Sequence, residues 1–219
     1  MNRITKQTQE WAGQFGKEYT DRNALTLEEM ELLYKKQYGI TRTEMNSKFL
    51  GDFEMDIRIL EVGSNIGNQL LCLQRAGFSN LYGIELQSYA VELSKSRTKG
   101  INIIEGSAFD IPFKDGWFDL IFTSGVLIHI PPWELDTALA EIYRCSSKFI
   151  WGLEYYASEH TQIPYRESKE TTEMLWKADF PTILCHQFPG LEAVKIRHFK
   201  YHDNDNVDVM YLLEKGEPK

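Results

Sequence analysis

The chain has little of what a secreted, membrane-bound or polyanion-binding protein needs. It holds three cysteines in 219 residues, Cys72, Cys145 and Cys185. An odd, widely spaced set gives neither a disulfide framework nor a zinc site, and it reads as reduced thiols of the cytoplasm. No apolar run approaches the roughly 20 residues that span a bilayer, so no membrane association is expected. The first ten residues are polar and do not read as a signal peptide. Positive charge is scarce: 24 Lys and Arg against 32 Asp and Glu leave a net charge of −8. Binding a nucleic-acid backbone needs a basic footprint, so a small-molecule partner is expected rather than RNA or DNA. There is no G-x-x-x-x-G-K-[ST] phosphate loop, no internal repeat and no low-complexity tract. Metal-ligand spacing is also missing, and a monomer and a homodimer both remain open.

What is present is concentrated in one stretch, Ile59-Leu60-Glu61-Val62-Gly63-Ser64-Asn65-Ile66-Gly67-Asn68. A short apolar run ends in an acid and breaks into a Gly-x-x-x-Gly turn. A helical pattern with apolar Leu70, Leu71, Leu73 and Ala76 follows and stops at Gly77. Strand, tight turn and helix in that order open a doubly wound α/β domain, whose ligand sits at the strand's carboxyl end. A second acid, Glu85, closes the next apolar run at the spacing that puts a carboxylate on ribose hydroxyls.

The turn also says which adenosine compound fits. A pyrophosphate wants a second glycine where Asn65 stands, and a counter-charge. Asn tolerates the left-handed backbone the turn requires, but no Lys or Arg lies between Arg58 and Arg75. A cofactor with ribose hydroxyls and no phosphate, S-adenosylmethionine, suits the loop better than NAD.

Along the chain, residues 1–50 read as a helical lid, with Thr26 an N-cap ahead of Glu28 and Glu29. Residues 51–219 complete a single domain. Strand patterns at 57–62, 81–85, 101–105, 118–123 and 148–153 alternate with helical patterns at 68–76, 89–98 and 132–145, which implies a parallel sheet with helices on both faces. A helical insert is expected near 171–179. Two long strands follow, near 193–201 and 207–213, around the turn-rich His202-Asp203-Asn204-Asp205-Asn206.

From about residue 57 to 150 the chain resembles the class I S-adenosylmethionine-dependent methyltransferases. Glu61-Val62-Gly63-Ser64-Asn65-Ile66-Gly67 resembles the family's first motif, with Asn65 in place of a glycine. Glu85 resembles its ribose-binding acid. Glu105-Gly106-Ser107-Ala108-Phe109-Asp110 resembles the adenine-side loop, with Ser107 where many members carry Asp. The run from Phe118 to Ile130 resembles the fourth strand and the loop facing the donor methyl. Further segments, among them Phe15 to Asn23, Glu154-Tyr155-Tyr156 and Ile163-Pro164-Tyr165-Arg166, resemble methylases associated with pseudaminic acid biosynthesis. The resemblance implies a Rossmann-like fold whose mostly parallel, seven-stranded sheet ends in an antiparallel strand. It also implies an enzyme that methylates a small polar acceptor, at nitrogen or oxygen, and releases S-adenosylhomocysteine. The acceptor class it points to is amino sugars or nonulosonic acids.

The expected cofactor residues are Trp11 and Tyr19 of the lid, Glu61, Gly63, Ser64, Asn65, Gly67, Glu85, Leu86, Ser107, Ala108, Phe109, Ser124 and Val126. His129 and Tyr156 are the expected catalytic residues, His129 because an imidazole titrates in the range a general base needs. A histidine flanked by apolar residues is equally a packed structural one. Tyr155, Tyr156 and Arg166 are expected at the substrate, although strand alternation lets only one of the two tyrosines face a pocket. A non-catalytic S-adenosylmethionine- or nucleotide-binding protein of the same fold remains the alternative.

Overall fold

The computed structural model describes residues 5–164 and 175–216. At its centre is a seven-stranded sheet in the order β3-β2-β1-β4-β5-β9-β8. Its strands are β1 (Arg58–Val62), β2 (Asn80–Glu85), β3 (Ile101–Glu105), β4 (Phe118–Ser124), β5 (Ser146–Tyr155), β8 (Leu191–Lys200) and β9 (Val207–Lys215). The pairings among β3, β2, β1, β4 and β5 are parallel, and β9 alone runs against its neighbours β5 and β8. The order reverses direction at β1, whose neighbours are β2 and β4. The crevice above the carboxyl ends of β1 and β4 is therefore the topological switch point of the sheet.

The central strands are apolar along their length because both of their faces are covered. On one face, Met45, Phe49 and Leu50 of α4 (Arg42–Leu50) and Leu70 and Leu73 of α5 (Asn68–Arg75) pack with Ile59, Leu120, Phe122 and Trp151. On the other, Leu135, Leu139 and Ile142 of α7 (Pro132–Cys145) and Leu184 of α8 (Phe180–Gln187) pack with Leu60, Ile121 and Ile150. A helix α6 (Ser88–Arg97) joins β2 to β3.

Three further helices precede α4: α1 (Lys6–Ala12), α2 (Gln14–Arg22) and α3 (Leu27–Tyr38). Thr26 caps α3 through a reciprocal box with Glu29, and Thr41 caps α4 the same way with Glu44. Around α3, Met30 is buried while Leu32 and Leu33 are exposed. The segment 1–50 is thus uneven: α4 belongs to the core under the sheet, and α1 to α3 cover the crevice.

One expected element is corrected. The helical pattern near 171–179 does not place a helix at its described end. Trp176–Lys177 is a short strand, β7, paired with β6 (Thr161–Gln162), and α8 begins only at Phe180. Asp179 caps α8 by accepting from the Thr182 amide, and Pro181 sits in its first turn, where no amide donor is needed. Among the described residues no helix is long and apolar enough to cross a membrane.

Candidate functional site

At the switch point lies a cavity of about 390 Å³. Its floor is the turn after β1. Gly63 has φ +74°, and a Cβ there would come within 2.6 Å of Val126 Cγ2, so only glycine lets the chain pass under the β4 loop. Gly67, at φ +85°, is the left-handed cap that starts α5. Asn65, between them, is the one described non-glycine residue with positive φ, at +46°. Its side chain explains the departure from glycine. Asn65 Oδ1 accepts from the Ile66 amide at 2.9 Å, and Nδ2 donates to Thr20 Oγ1 at 3.0 Å. The turn is thereby tied to α2.

Glu85 ends β2 beside this turn. Its Oε2 accepts from the Asn65 amide and its Oε1 from the Gln87 amide, each at 2.8 Å. The carboxylate keeps lone-pair capacity for a hydroxyl from the cavity. Burial raises the Glu85 carboxyl above the ordinary range, and the amide donors of Gln87, Asn65 and Leu86 hold it down. Glu61, 2% exposed on β1, is pushed well up by burial, against the nearby charge of Arg42. Its Oε2 is buried without a hydrogen-bond partner.

The β4 loop carries a 3₁₀ turn, Leu127–His129. Glu154, fully buried on β5, fastens it from below, accepting from the amides of Val126 at 3.2 Å and Ile128 at 3.4 Å. Burial raises this carboxyl to about 7. His129 faces the cavity, its ring 4.5 Å from that of Trp11. Trp11 in turn meets Phe15 and Tyr19 edge-on, each at 5.0 Å. The Gln87 side chain holds the corner between α1 and α2, donating to the carbonyls of Ala12 at 2.9 Å and Gly13 at 2.8 Å.

The cavity lining brings together Trp11, Tyr19, Glu61, Gly63, Ser64, Asn65, Glu85, Leu86, Ser107, Ala108, Phe109, Ser124, Val126, His129 and Tyr155. Gly67 shapes the turn without reaching the lining. Tyr156 lies just past the end of β5 and is not among the described lining residues: its amide donates to the Val207 carbonyl at 2.8 Å, and its ring packs 4.4 Å from His198. Arg166 lies outside the described residues. Sequence reasoning missed the far wall, formed by Tyr34, Gln37 and Tyr38 of α3 with Tyr201 and Asp208. Two signals pointed there: tyrosines spaced i, i+4 on α3, and an acid inside the apolar run of β9. No Lys or Arg lines the cavity among the described residues. Nor do three His, Cys, Asp or Glu side chains come together there or elsewhere among them to hold a metal ion.

A family model described as a methyltransferase domain matches residues 60–148. Over that stretch the chain is similar to a methyltransferase domain. The match runs from the acid-glycine turn through Glu85 to the His129 loop and the start of β5. Magnesium protoporphyrin IX methyltransferase from Synechocystis PCC 6803, solved with bound S-adenosylmethionine, is similar in fold. It has a TM-score of 0.67 and 13% identity over 99% of this chain and 100% of that one. The 1,6-didemethyltoxoflavin-N1-methyltransferase of Burkholderia thailandensis, with S-adenosylhomocysteine bound, has a TM-score of 0.63 and 12% identity over 80% and 76% of the two chains. The [4+2]-cyclase SpnF also reaches 0.63, at 13% identity over 80% and 79%. That third likeness shows that the methyltransferase fold by itself does not assign a reaction. A curated relative, an uncharacterized protein of Haemophilus influenzae, is 25% identical over 100 residues, which are 43% of this chain and 40% of that protein. The chain therefore matches less than half the length of that relative.

The cavity fits the cofactor of this domain. A glycine turn, a buried carboxylate beside it with lone-pair capacity to spare, and an orphaned acid oxygen at Glu61 all suit S-adenosylmethionine. Among the described residues no Lys or Arg of the lining offers a pyrophosphate counter-charge.

Proposed function

We propose that the protein transfers a methyl group from S-adenosylmethionine to a small polar acceptor, releasing S-adenosylhomocysteine. The observation that carries this reading is that the glycine turn, Glu85 and His129 border one cavity whose lining, among the described residues, holds acids and aromatic rings but no Lys or Arg. When bound, S-adenosylmethionine supplies an already activated methyl on a sulfonium. The chain's part is to hold the acceptor in line with it, and positioning of that kind contributes on the order of 7–11 kcal/mol.

In this reading Glu85 accepts from the ribose hydroxyls and Glu61 Oε2 from the cofactor's ammonium. Ser107, Ala108 and Phe109 border adenine, with Phe109 offering a face for stacking. Trp11 and Tyr19 close over the cofactor as part of a lid, and their rings favour a sulfonium through cation–π attraction. His129 takes the proton of a hydroxyl acceptor. The acceptor is an amino sugar or a nonulosonic acid, with Tyr155 against it. A role for Arg166 on an acceptor carboxylate rests on the sequence alone.

The test is calorimetry of S-adenosylhomocysteine binding to the protein and to Glu85→Ala, followed by a screen for label transfer to amino sugars and nonulosonic acids. Micromolar binding that the substitution weakens supports the reading. No binding by folded, ligand-free protein overturns it.

A further inference from the structure

Beyond the glycine turn the cavity ends at an acid set among tyrosines. Asp208 stands opposite Tyr155 in the β5–β9 register, lines the cavity and is 4% exposed. Its Oδ2 accepts from the Tyr38 hydroxyl at 2.6 Å and from the Tyr201 hydroxyl at 3.3 Å. Gln37 Nε2 donates to the Tyr38 oxygen at 2.6 Å, so the phenol's own proton is committed to Asp208. The other carboxylate oxygen, Oδ1, is buried and has no hydrogen-bond partner. Leaving such an atom unpaired costs about 1–3 kcal/mol, and more when it is charged. A donor entering from the cavity would remove that cost.

The walls say which donor. The rings of Tyr38 and Tyr201 lie 5.1 Å apart at 85°, Tyr34 is 5.4 Å from Tyr38, and Tyr155 is 6.5 Å from Tyr201. Aromatic walls attract cations. Among the described residues, the acids and bases that line the cavity are Glu61, Glu85 and Asp208, all acids. Arg42 lies behind the wall, between the rings of Tyr34 and Trp151 at 5.5 and 5.3 Å, and donates to Tyr34 and Ser124. Lys177 is bonded to Asn206 and is not part of the lining. A carboxylate or phosphate group placed at this wall would meet like charge, whereas an ammonium meets an unpaired oxygen among aromatic rings.

We propose that Asp208, with Tyr34, Tyr38, Tyr155 and Tyr201, recognises an organic amine in its ammonium form, so that the acceptor is an amine and methylation is at nitrogen. This rests on the reading of the same cavity as a methyltransferase site. The ammonium passes one proton to Asp208 Oδ1 and from there to solvent. The freed nitrogen pair then forms the bond to the methyl carbon as the carbon–sulfur bond breaks and its electrons stay on sulfur. Burial already holds the Asp208 carboxyl up at about 7, a suitable proton affinity for that relay.

Three probes that share a cyclohexyl ring test this by titration at neutral pH, with and without saturating S-adenosylhomocysteine: cyclohexylammonium, cyclohexanol and cyclohexanecarboxylate. Ammonium binding about tenfold or more tighter than the other two is expected. Asp208→Asn should remove that preference while changing S-adenosylhomocysteine affinity by no more than about twofold. No saturable ammonium binding, equal binding of the three probes, a preference for the carboxylate, or a preference that survives Asp208→Asn overturns the proposal. The wild-type comparison decides even if the variant fails to fold. Failure of S-adenosylhomocysteine to bind, with the ammonium preference intact, would sink the methyltransferase reading and leave the amine site standing.

Discussion

The carboxylate of Glu85 accepts the backbone N–H of Asn65 at 2.8 Å, joining the end of the second strand to the turn after the first. One acid thus both shapes the turn and offers its remaining lone pairs to the cavity. Glu85→Gln separates these roles, because the amide oxygen still accepts one N–H while the charge is lost. Its affinity for S-adenosylhomocysteine should fall by about tenfold, less than that of Glu85→Ala, since hydrogen bonds to charged groups are worth about 1.5–3 kcal/mol. Equal affinity of Glu85→Gln and wild type in calorimetry would remove the carboxylate from the ribose.

Asn65→Gly sets two effects against each other. Glycine relieves the positive φ, but the bond to Thr20 on α2 is lost. Global stability should move by less than about 1 kcal/mol. Hydrogen exchange of α2 amides should nevertheless speed up, because the tie between turn and helix is gone. Unchanged exchange in α2 would show that Asn65 does not hold the helix.

His129→Ala is expected to lower turnover about 100-fold with a hydroxyl acceptor, the usual range for a lost general base. With an amine acceptor the loss should be small. S-adenosylhomocysteine affinity should change little. A side chain that only packs against Trp11 would instead lower cofactor affinity and melting temperature while sparing turnover at saturation.

Stability should fall as pH rises from about 4.5 to 7. Burial holds the carboxyls of Glu154 and Asp208 up at about 7 in the folded protein, against about 4 in an unfolded chain. The folded state keeps protons that the unfolded state releases in that window, so its advantage is complete below the window and lost above it. For Glu154 alone this amounts to on the order of 3 kcal/mol. Asp119, bonded to Arg58, and Glu141, bonded to Arg144, shift the opposite way and act at lower pH. Urea midpoints at pH 5, 6, 7 and 8 measure the slope, and Glu154→Gln should flatten it. A midpoint that rises from pH 5 to 7 would contradict this.

The glycine turn, Glu85 and the strand–helix alternation were legible in the sequence because each is local. A left-handed turn, an acid closing a strand and an apolar period of 3.6 or 2 leave their mark within a few residues. Which of Tyr155 and Tyr156 lines the cavity was not legible, since two adjacent tyrosines carry no local sign of which faces inward. The described end of the helical pattern near 171–179 was misread because Trp176 serves a two-stranded pairing.

The sequence by itself determined the fold class, the cofactor loop and the acid beside it, through spacing and backbone preference. Only the tertiary structure decided what stands across from them. Tyr38 and Asp208 are 170 residues apart, and the hydrogen bond between them exists because α3 lies over the edge where β9 meets β5. A contact of that kind is set by how buried faces pack, and no pattern within either segment encodes it.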